Sequence, residues 1–368
     1  MYLQCLELFH FKNYPEANFR FHKGINCLTG PNGSGKTSIL DAIHYLSLCK
    51  SYFAATDYQS ILRGENLMMI KGIFKNENRS DEVICTVKMG QKKQMSLNGR
   101  EYSRLADHVG LFPVVMVAPS DQELITGGSE ERRRWMDRIL SQVNRHYLEQ
   151  LQLYIRTLEQ RNSLLRNNTS GRPDADVMEM YDMQLATASE VIYRERLLFC
   201  QAFEKLFIQF YELLTEGAEE AGFRYLSQLH DNKPMELLHQ HFEKDLALQF
   251  TSAGIHKDDL SFFIHGMEVK RYGSEGQQRS VILALKLAQF VYLFEKKGIK
   301  PILMLDDLFD RLDERRMAQL VALIRRDCFG QIFITHTSDE RLGILLEQTG
   351  LEHTFFRVRN GTTLIGTP

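Results

Sequence analysis

The sequence predicts an α/β protein whose main layer is assembled from both ends of the chain, with a helical hairpin inserted between them. Three observations predict it. Short alternating and apolar runs of strand length crowd the two ends of the chain. A glycine-rich phosphate-loop pattern stands between a strand and a helix near the N-terminus. Through the middle, apolar residues recur with a 3-4 rhythm instead of alternating. The corresponding boundaries are residues 1–125 for the N-terminal part of the head, 126–244 for the helical arm, and 245–368 for the C-terminal part of the head.

The elements follow in order. Tyr2–Phe21 alternates aliphatic and aromatic residues with polar ones, as half-buried strands do. Gly24–Leu28 reads as a strand entering a glycine-rich turn, and Ser38–Cys49 as a helix with Ile39, Ile43, Tyr45 and Leu46 on one apolar face. Met68–Leu97 holds two or three strands, closed by an Asn98-Gly99 hairpin turn. Val114–Val117 is a short buried strand. Ile139, Val143, Tyr147, Leu151, Tyr154, Leu158 and Leu165 then mark one helix, and the breaker Asn167–Pro173 ends it. Met178, Tyr181, Leu185, Ala188, Ile192, Phe199, Phe203, Leu206, Phe210 and Leu213 mark a second, with one beat missing at Glu195. Two such runs joined by a breaker predict an antiparallel hairpin of helices about forty residues long; they fit equally a projecting arm and a subdomain folded onto the head.

Composition narrows the class. The 368 residues are 43% hydrophobic and 25% charged, which excludes a disordered chain, and only 8 are proline. No apolar run approaches the roughly eighteen residues of a membrane span, so no membrane role is expected. The six cysteines are scattered without a C-x-x-C pair and read as buried thiols of a cytoplasmic protein. With 45 Lys+Arg against 47 Asp+Glu, the net charge of −2 gives no general affinity for nucleic acid. Any such binding must come from local patches.

Gly30-Pro31-Asn32-Gly33-Ser34-Gly35-Lys36-Thr37 matches G-x-x-x-x-G-K-[ST]. Its glycines let backbone N–H groups face phosphate oxygens, Lys36 reaches the β/γ-phosphates, and Thr37 is a Mg²⁺ ligand, with Ser38 opening the helix behind them. Ile302–Leu305 is an apolar strand ending in Asp306-Asp307. Beside a phosphate loop, Asp306 is expected to hold Mg²⁺ and Asp307, facing the other side of the strand, to polarise the attacking water. Ser274, Gly276 and Gln277 open a leucine-rich helix and could form a second anion site; the same residues also make a capping box. Arg132, Arg133 and Arg134 cluster at the start of the arm, where they could meet DNA phosphate or form an ordinary solvated helix face.

In order, these motifs resemble those of the ABC-type ATPases: phosphate loop, helical insertion, S-x-G-Q, strand-Asp, and then the Thr335-His336 pair. The interval between Lys36 and Ser274 is too short for the coiled coils of SMC and Rad50 proteins. Two further stretches resemble the RecF family, namely Pro119–Asp137, with its Arg-Arg-x-aromatic-x-Asp ending, and Thr251–Leu260, with its Gly-x-His-x-Asp-Asp-Leu core. The likeness runs from Met1 to the final strands. Ser120, Ser129, Ile255 and Lys257 depart from the family pattern, as does Asp310-Arg311-Leu312-Asp313 after the Asp pair.

The resemblance implies an ABC-type ATPase head with an inserted helical-hairpin arm. It implies ATP with Mg²⁺ on one copy, capped by Ser274, Gly276 and Gln277 of another in an ATP-dependent homodimer, with His336 sensing the γ-phosphate. It also implies a nucleoid-associated protein that clamps duplex DNA at gaps and single-strand junctions. Working with RecO and RecR, such a protein promotes RecA loading, replication restart and the SOS response. Turnover would be a slow, DNA-stimulated switch, in keeping with an Asp at 307 where most ABC-type ATPases carry the longer Glu. The alternative is a non-catalytic ATP-gated DNA clamp of the SMC/Rad50 type, while a transporter subunit would lack the Pro119–Asp137 stretch.

Overall fold

The computed structural model describes residues 1–77, 79–167, 172–308, 314–325, 329–347, 350, 352–359 and 362–366. Asn168–Gly171 of the expected breaker, Asp310-Arg311-Leu312-Asp313 and Cys328 lie outside the described residues. The chain divides into two compact units. The first comprises residues 1–121, 213–217 and 279–368, and the second residues 122–212 and 218–278.

The first unit holds two sheets. Strands β1 (Tyr2–Phe11), β2 (Tyr14–Arg20), β4 (Leu67–Asn76), β5 (Arg79–Lys88), β6 (Gln94–Leu97) and β7 (Arg100–Glu101) form an antiparallel sheet in the order β2-β1-β4-β5-β6-β7. The turn between β6 and β7 has positive φ at both Asn98 (53°) and Gly99 (77°), the tight hairpin that this dipeptide favours. The second sheet runs β15-β14-β3-β13-β12-β8, from β3 (Ile25–Thr29), β8 (Val114–Val117), β12 (Ile302–Leu305), β13 (Ile332–His336), β14 (His353–Arg359) and β15 (Thr362–Gly366). All its pairs are parallel except β14–β15. Strands β3, β8, β12 and β13 are buried along their whole length, which is why they read as unbroken apolar runs.

Helix α1 (Lys36–Leu48) packs against strands of both sheets, and every residue from Ile39 to Leu48 is buried. The single apolar face expected from sequence is therefore a helix buried all round. Its polar members are paired, Asp41 accepting from Ser51 Oγ and Tyr52 N, each at 2.6 Å.

The second unit contains α2 (Glu123–Thr126), α3 (Ser129–Val143), α4 (Arg145–Asn167), most of α5 (Ala175–Thr215), α6 (Pro234–Leu248) and α7 (Val269–Tyr272). Beside these helices stands a three-stranded sheet of β9 (Ala221–Leu226), β10 (Asp259–Ile264) and β11 (Met267–Glu268). Helix α8 (Glu275–Lys297) begins in this unit and continues into the first, which also holds α9 (Glu314–Arg325) and α10 (Asp339–Glu347). The inserted unit therefore reaches Gln278 and not residue 244. Pairing with β9 holds β10 there, and Phe223 and Phe262 turn inward toward Phe207 of α5.

Two expectations about the hairpin need correction. Its first helix is two helices, because Asn144 leaves helical geometry and its side-chain oxygen accepts the Tyr147 N–H at 3.0 Å, capping α4. On the second, the buried residues drift from the strict heptad to Phe207, Tyr211 and Leu214, leaving Leu206, Phe210 and Leu213 half-buried. A straight helix repeats every 3.6 residues, so a 3.5-residue stripe slides off its face over 41 residues. The missing beat is filled by Arg196, a buried cation. It donates to Asp258 (2.7 Å), Asp137 (2.9 Å), Tyr147 (3.1 Å) and the Ile255 carbonyl (2.9 Å).

Candidate nucleotide site

The ends of three adjacent parallel strands converge in the first unit. β3 leads into the Gly30–Thr37 loop, β13 ends in Thr335-His336, and β12 ends beside Asp306-Asp307, in the spatial order β3-β13-β12. Carboxyl ends of parallel strands are where open α/β sheets receive ligands. The Gly30 N–H donates to the His336 carbonyl at 3.3 Å and joins the loop to β13.

Two loop glycines are required by geometry. Gly30 has φ 145°, and a Cβ there would stand 2.3 Å from the Val358 carbonyl oxygen of β14. Gly35 has φ 116°, and its Cβ would meet Asn13 Nδ2 and Tyr14 Oη, each at 2.6 Å. Any side chain at either position would displace the loop.

The loop then enters α1 with neither a capping side chain nor an acidic residue in the first turn, leaving its N–H groups and dipole to face an anion. Lys36 Nζ donates to the Gly30 and Pro31 carbonyls at 2.7 and 3.0 Å, which sets the ammonium inside the curl of the loop. Ser34 Oγ is buried there without a hydrogen-bond partner, a polar atom suited to a phosphate oxygen.

Across 269 residues of sequence, Thr37 Oγ1 lies 2.9 and 3.1 Å from the two Asp306 carboxylate oxygens. Thr335 Oγ1 also donates to Asp306, at 2.9 Å. Burial holds Asp306 above the usual carboxylate range, the Thr335 and Thr37 hydroxyls opposing that shift and the Asp307 carboxylate adding to it. A hydroxyl and a buried carboxylate are hard oxygen donors, the set that suits Mg²⁺.

Asp307 does not face the opposite side of the strand as expected. Its φ of 45° turns the chain, its N–H donates to Thr335 Oγ1 at 2.8 Å, and its carboxylate lies 3.4 Å from that hydroxyl. Thr335 thus bridges both acids. Sequence reasoning named it only as the neighbour of His336, and the adjacency of β13 and β12, which decides the matter, is invisible in one dimension. His336 is buried, with Nδ1 2.9 Å from the Ser338 N.

Ser274, Gly276 and Gln277 belong to the second unit, at the start of α8. There Ser274 N donates to Gln277 Oε1 (2.9 Å) and Gln277 N to Ser274 Oγ (3.2 Å), a reciprocal capping box on an exposed turn. Gln277 Nε2 also donates to Glu219 at 2.8 Å.

The arginine cluster separates by residue. Arg132 is 5% exposed and holds Asp259 through two bonds of 2.6 and 3.0 Å, so it is not a surface contact for DNA. Arg133 donates to the Asp258 carbonyl at 2.6 Å. Only Arg134 is exposed, alongside Glu130 and Glu131, whose charges offset its own. The stretches Pro119–Asp137 and Thr251–Leu260 thus meet through Arg132–Asp259 and through Asp137–Arg196–Asp258, a structural junction. Among the described residues no helix is long and apolar enough to cross a membrane.

Residues 2–354 match the family described as the RecF/RecN/SMC N terminal domain. The DNA replication and repair protein RecF of Flavobacterium johnsoniae is 41% identical over 362 residues, which span 97% of this chain and 100% of that protein. The protein of the same name from Parabacteroides distasonis is 40% identical over 361 residues, 98% of each chain. A solved structure of the recombination mediator protein RecF-ATP in the RecFOR pathway superposes with a TM-score of 0.90 at 26% identity, covering 100% of this chain and 98% of that one.

Proposed function

The chain belongs to the RecF family, and from that premise we propose that it is an ATP-gated DNA-binding protein of replication and recombinational repair. ATP is held by the Gly30–Thr37 loop and Ser38, its phosphates by the loop amides, Lys36 and the open end of α1. Mg²⁺, held by Thr37 and Asp306, would neutralise charge on the β- and γ-phosphates. Asp307 orients the attacking water, and His336 senses the γ-phosphate. Ser274, Gly276 and Gln277 of a second copy cap the nucleotide, so ATP assembles a homodimer that closes on duplex DNA beside gaps and single-strand junctions. Hydrolysis reopens it slowly. In the cell this clamp acts with RecO and RecR to promote RecA loading. The observation that carries the reading is the Thr37–Asp306 contact, which brings two distant motifs together at the carboxyl ends of the parallel strands of one sheet.

The test is size-exclusion chromatography with and without ATP, with a gapped duplex added. The expected result is a monomer without nucleotide, a dimer with ATP, and a DNA-bound dimer when both are present. Ser274→Arg should retain ATP binding and lose the dimer. Normal ATP-dependent dimerisation of that variant would remove the shared-site arrangement.

A further inference from the structure

The turn joining β1 to β2 carries no chemistry-bearing motif, yet it and the first residue of β2 touch the phosphate loop at two points and helix α1 at two more. Asn13 Nδ2 donates to the Ser34 carbonyl at 3.3 Å, and Asn13 Oδ1 accepts from Ser38 Oγ at 2.8 Å. Tyr14 Oη donates to the Gly35 carbonyl at 3.1 Å, and Lys12 Nζ pairs with Asp41 of α1 at 2.6 Å. Lys12 itself adopts φ 51°, a conformation uncommon for a long side chain, held by its N–H donating to the Ser60 carbonyl at 2.8 Å. Tyr14 is fully buried, its ring edge-on to Phe19.

In a trans peptide unit the C=O of one residue and the N–H of the next point in opposite directions. Fixing the Ser34 carbonyl against Asn13 therefore fixes the direction of the Gly35 N–H. Fixing the Gly35 carbonyl against Tyr14 does the same for Lys36 N–H, the first amide of α1. Both amides are therefore turned away from the β1–β2 turn. The Ser38 hydroxyl, donating to Asn13 Oδ1, fixes which end of the amide faces Ser34. Gly35 is the residue whose Cβ would collide with both Asn13 and Tyr14, so the loop's last glycine and the turn fit one another.

We propose that Asn13 and Tyr14 are positioning residues of the phosphate loop, a clamp that sets the Gly35 and Lys36 amides toward phosphate before the anion arrives. Pre-set donors bind more tightly because no ordering cost is met on binding. This inference rests on the reading of the loop as the ATP site.

The experiment compares Tyr14→Phe, Asn13→Ala and Lys36→Met in the full chain, using ATP and inorganic tripolyphosphate as competing probes against a fluorescent ATP analogue. Tyr14→Phe is the mild variant, because the Gly35 carbonyl keeps the Ile39 N–H at 3.2 Å and the ring still fills its place. Losing one orienting hydrogen bond should weaken both probes by the same factor, about 3- to 10-fold. Hydrogen exchange across residues 33–38 should also be faster in the nucleotide-free variants than in the nucleotide-free parent, a readout that requires no ligand. Unchanged affinities and exchange in both clamp variants, with binding lost in Lys36→Met, would overturn the clamp alone. A loss for ATP without a loss for tripolyphosphate would also overturn it, since the effect would then lie at the base or sugar. If Lys36→Met left both probes binding as the parent does, the nucleotide-site reading itself would fall.

Discussion

Replacing the three consecutive arginines one at a time should give three different proteins, and Arg132→Ala should be the costly one. Arg132 is 5% exposed and donates to both oxygens of Asp259, as well as to the carbonyls of Leu124 (3.3 Å) and Gly127 (3.0 Å). Breaking a fully buried ion pair from one side costs about 3–5 kcal/mol. The Asp259 side chain is 28% exposed and can recover some hydration, which reduces the figure to about 2–4 kcal/mol. Arg134 is 57% exposed and its partner Glu130 64%, so Arg134→Ala should cost less than about 0.5 kcal/mol. Urea unfolding of each variant measures the difference directly. The salt dependence of duplex binding is the second readout. A lost phosphate contact lowers the slope of log K against log[salt] by about 0.9, and Arg132→Ala should leave it unaltered. Equal stability of the Arg132→Ala and Arg134→Ala proteins would refute the argument. So would a folded Arg132→Ala protein with a flattened salt slope, because the guanidinium would then be on phosphate and not on Asp259.

Asp307→Asn should fold normally, since Asn tolerates the left-handed φ of 45° and the backbone N–H to Thr335 is retained. It should bind ATP and dimerise while hydrolysis is suppressed, and labelled duplex should dissociate more slowly after an ATP chase; hydrolysis at the parent rate would remove Asp307 as the water-orienting group. Stability should fall with acid through His108 and His256. Burial lowers each imidazole from 6.5 to about 4, so the unfolded chain takes up the proton first. Their contribution is complete above pH 6.5 and is lost as pH falls from 6.5 to about 4, by up to roughly 3 kcal/mol for each histidine. Urea midpoints at pH 7.5 and 5.0 measure it, and His108→Gln should flatten the profile; an unchanged profile in that variant would count against the assignment.

The sequence carried the first unit and its site well where local signals and chemistry coincide. The Gly30–Thr37 loop and the Asn98-Gly99 turn each have a residue pattern that strongly favours one local geometry, and the apolar strand before Asp306 takes its meaning from standing beside that loop. What stayed hidden depended on neighbours brought from elsewhere. Thr335 bridges Asp306 and Asp307 only because β13 lies between β3 and β12. Asn13 and Tyr14 matter only because β1 and β2 turn beside α1. The arginines misled for the same reason. A run of three cations at a helix start reads as a surface patch, and nothing local shows that Asp259, 127 residues on, takes the first of them inside. Arg196 is the clearest case, since the sequence shows only a missing beat at Glu195 and the buried side chain is that of the next residue. A gap in an otherwise regular buried stripe can mean that the helix breaks or that a charge is buried there. Two aspartates in the family-like stretches, Asp137 and Asp258, decide between these by meeting Arg196 from either side. Stretches that mark membership of a family need not mark its active site. Here the two family-like stretches are joined to each other by ion pairs within the second unit, while the phosphate-loop motif and the Thr37–Asp306 contact lie in the first.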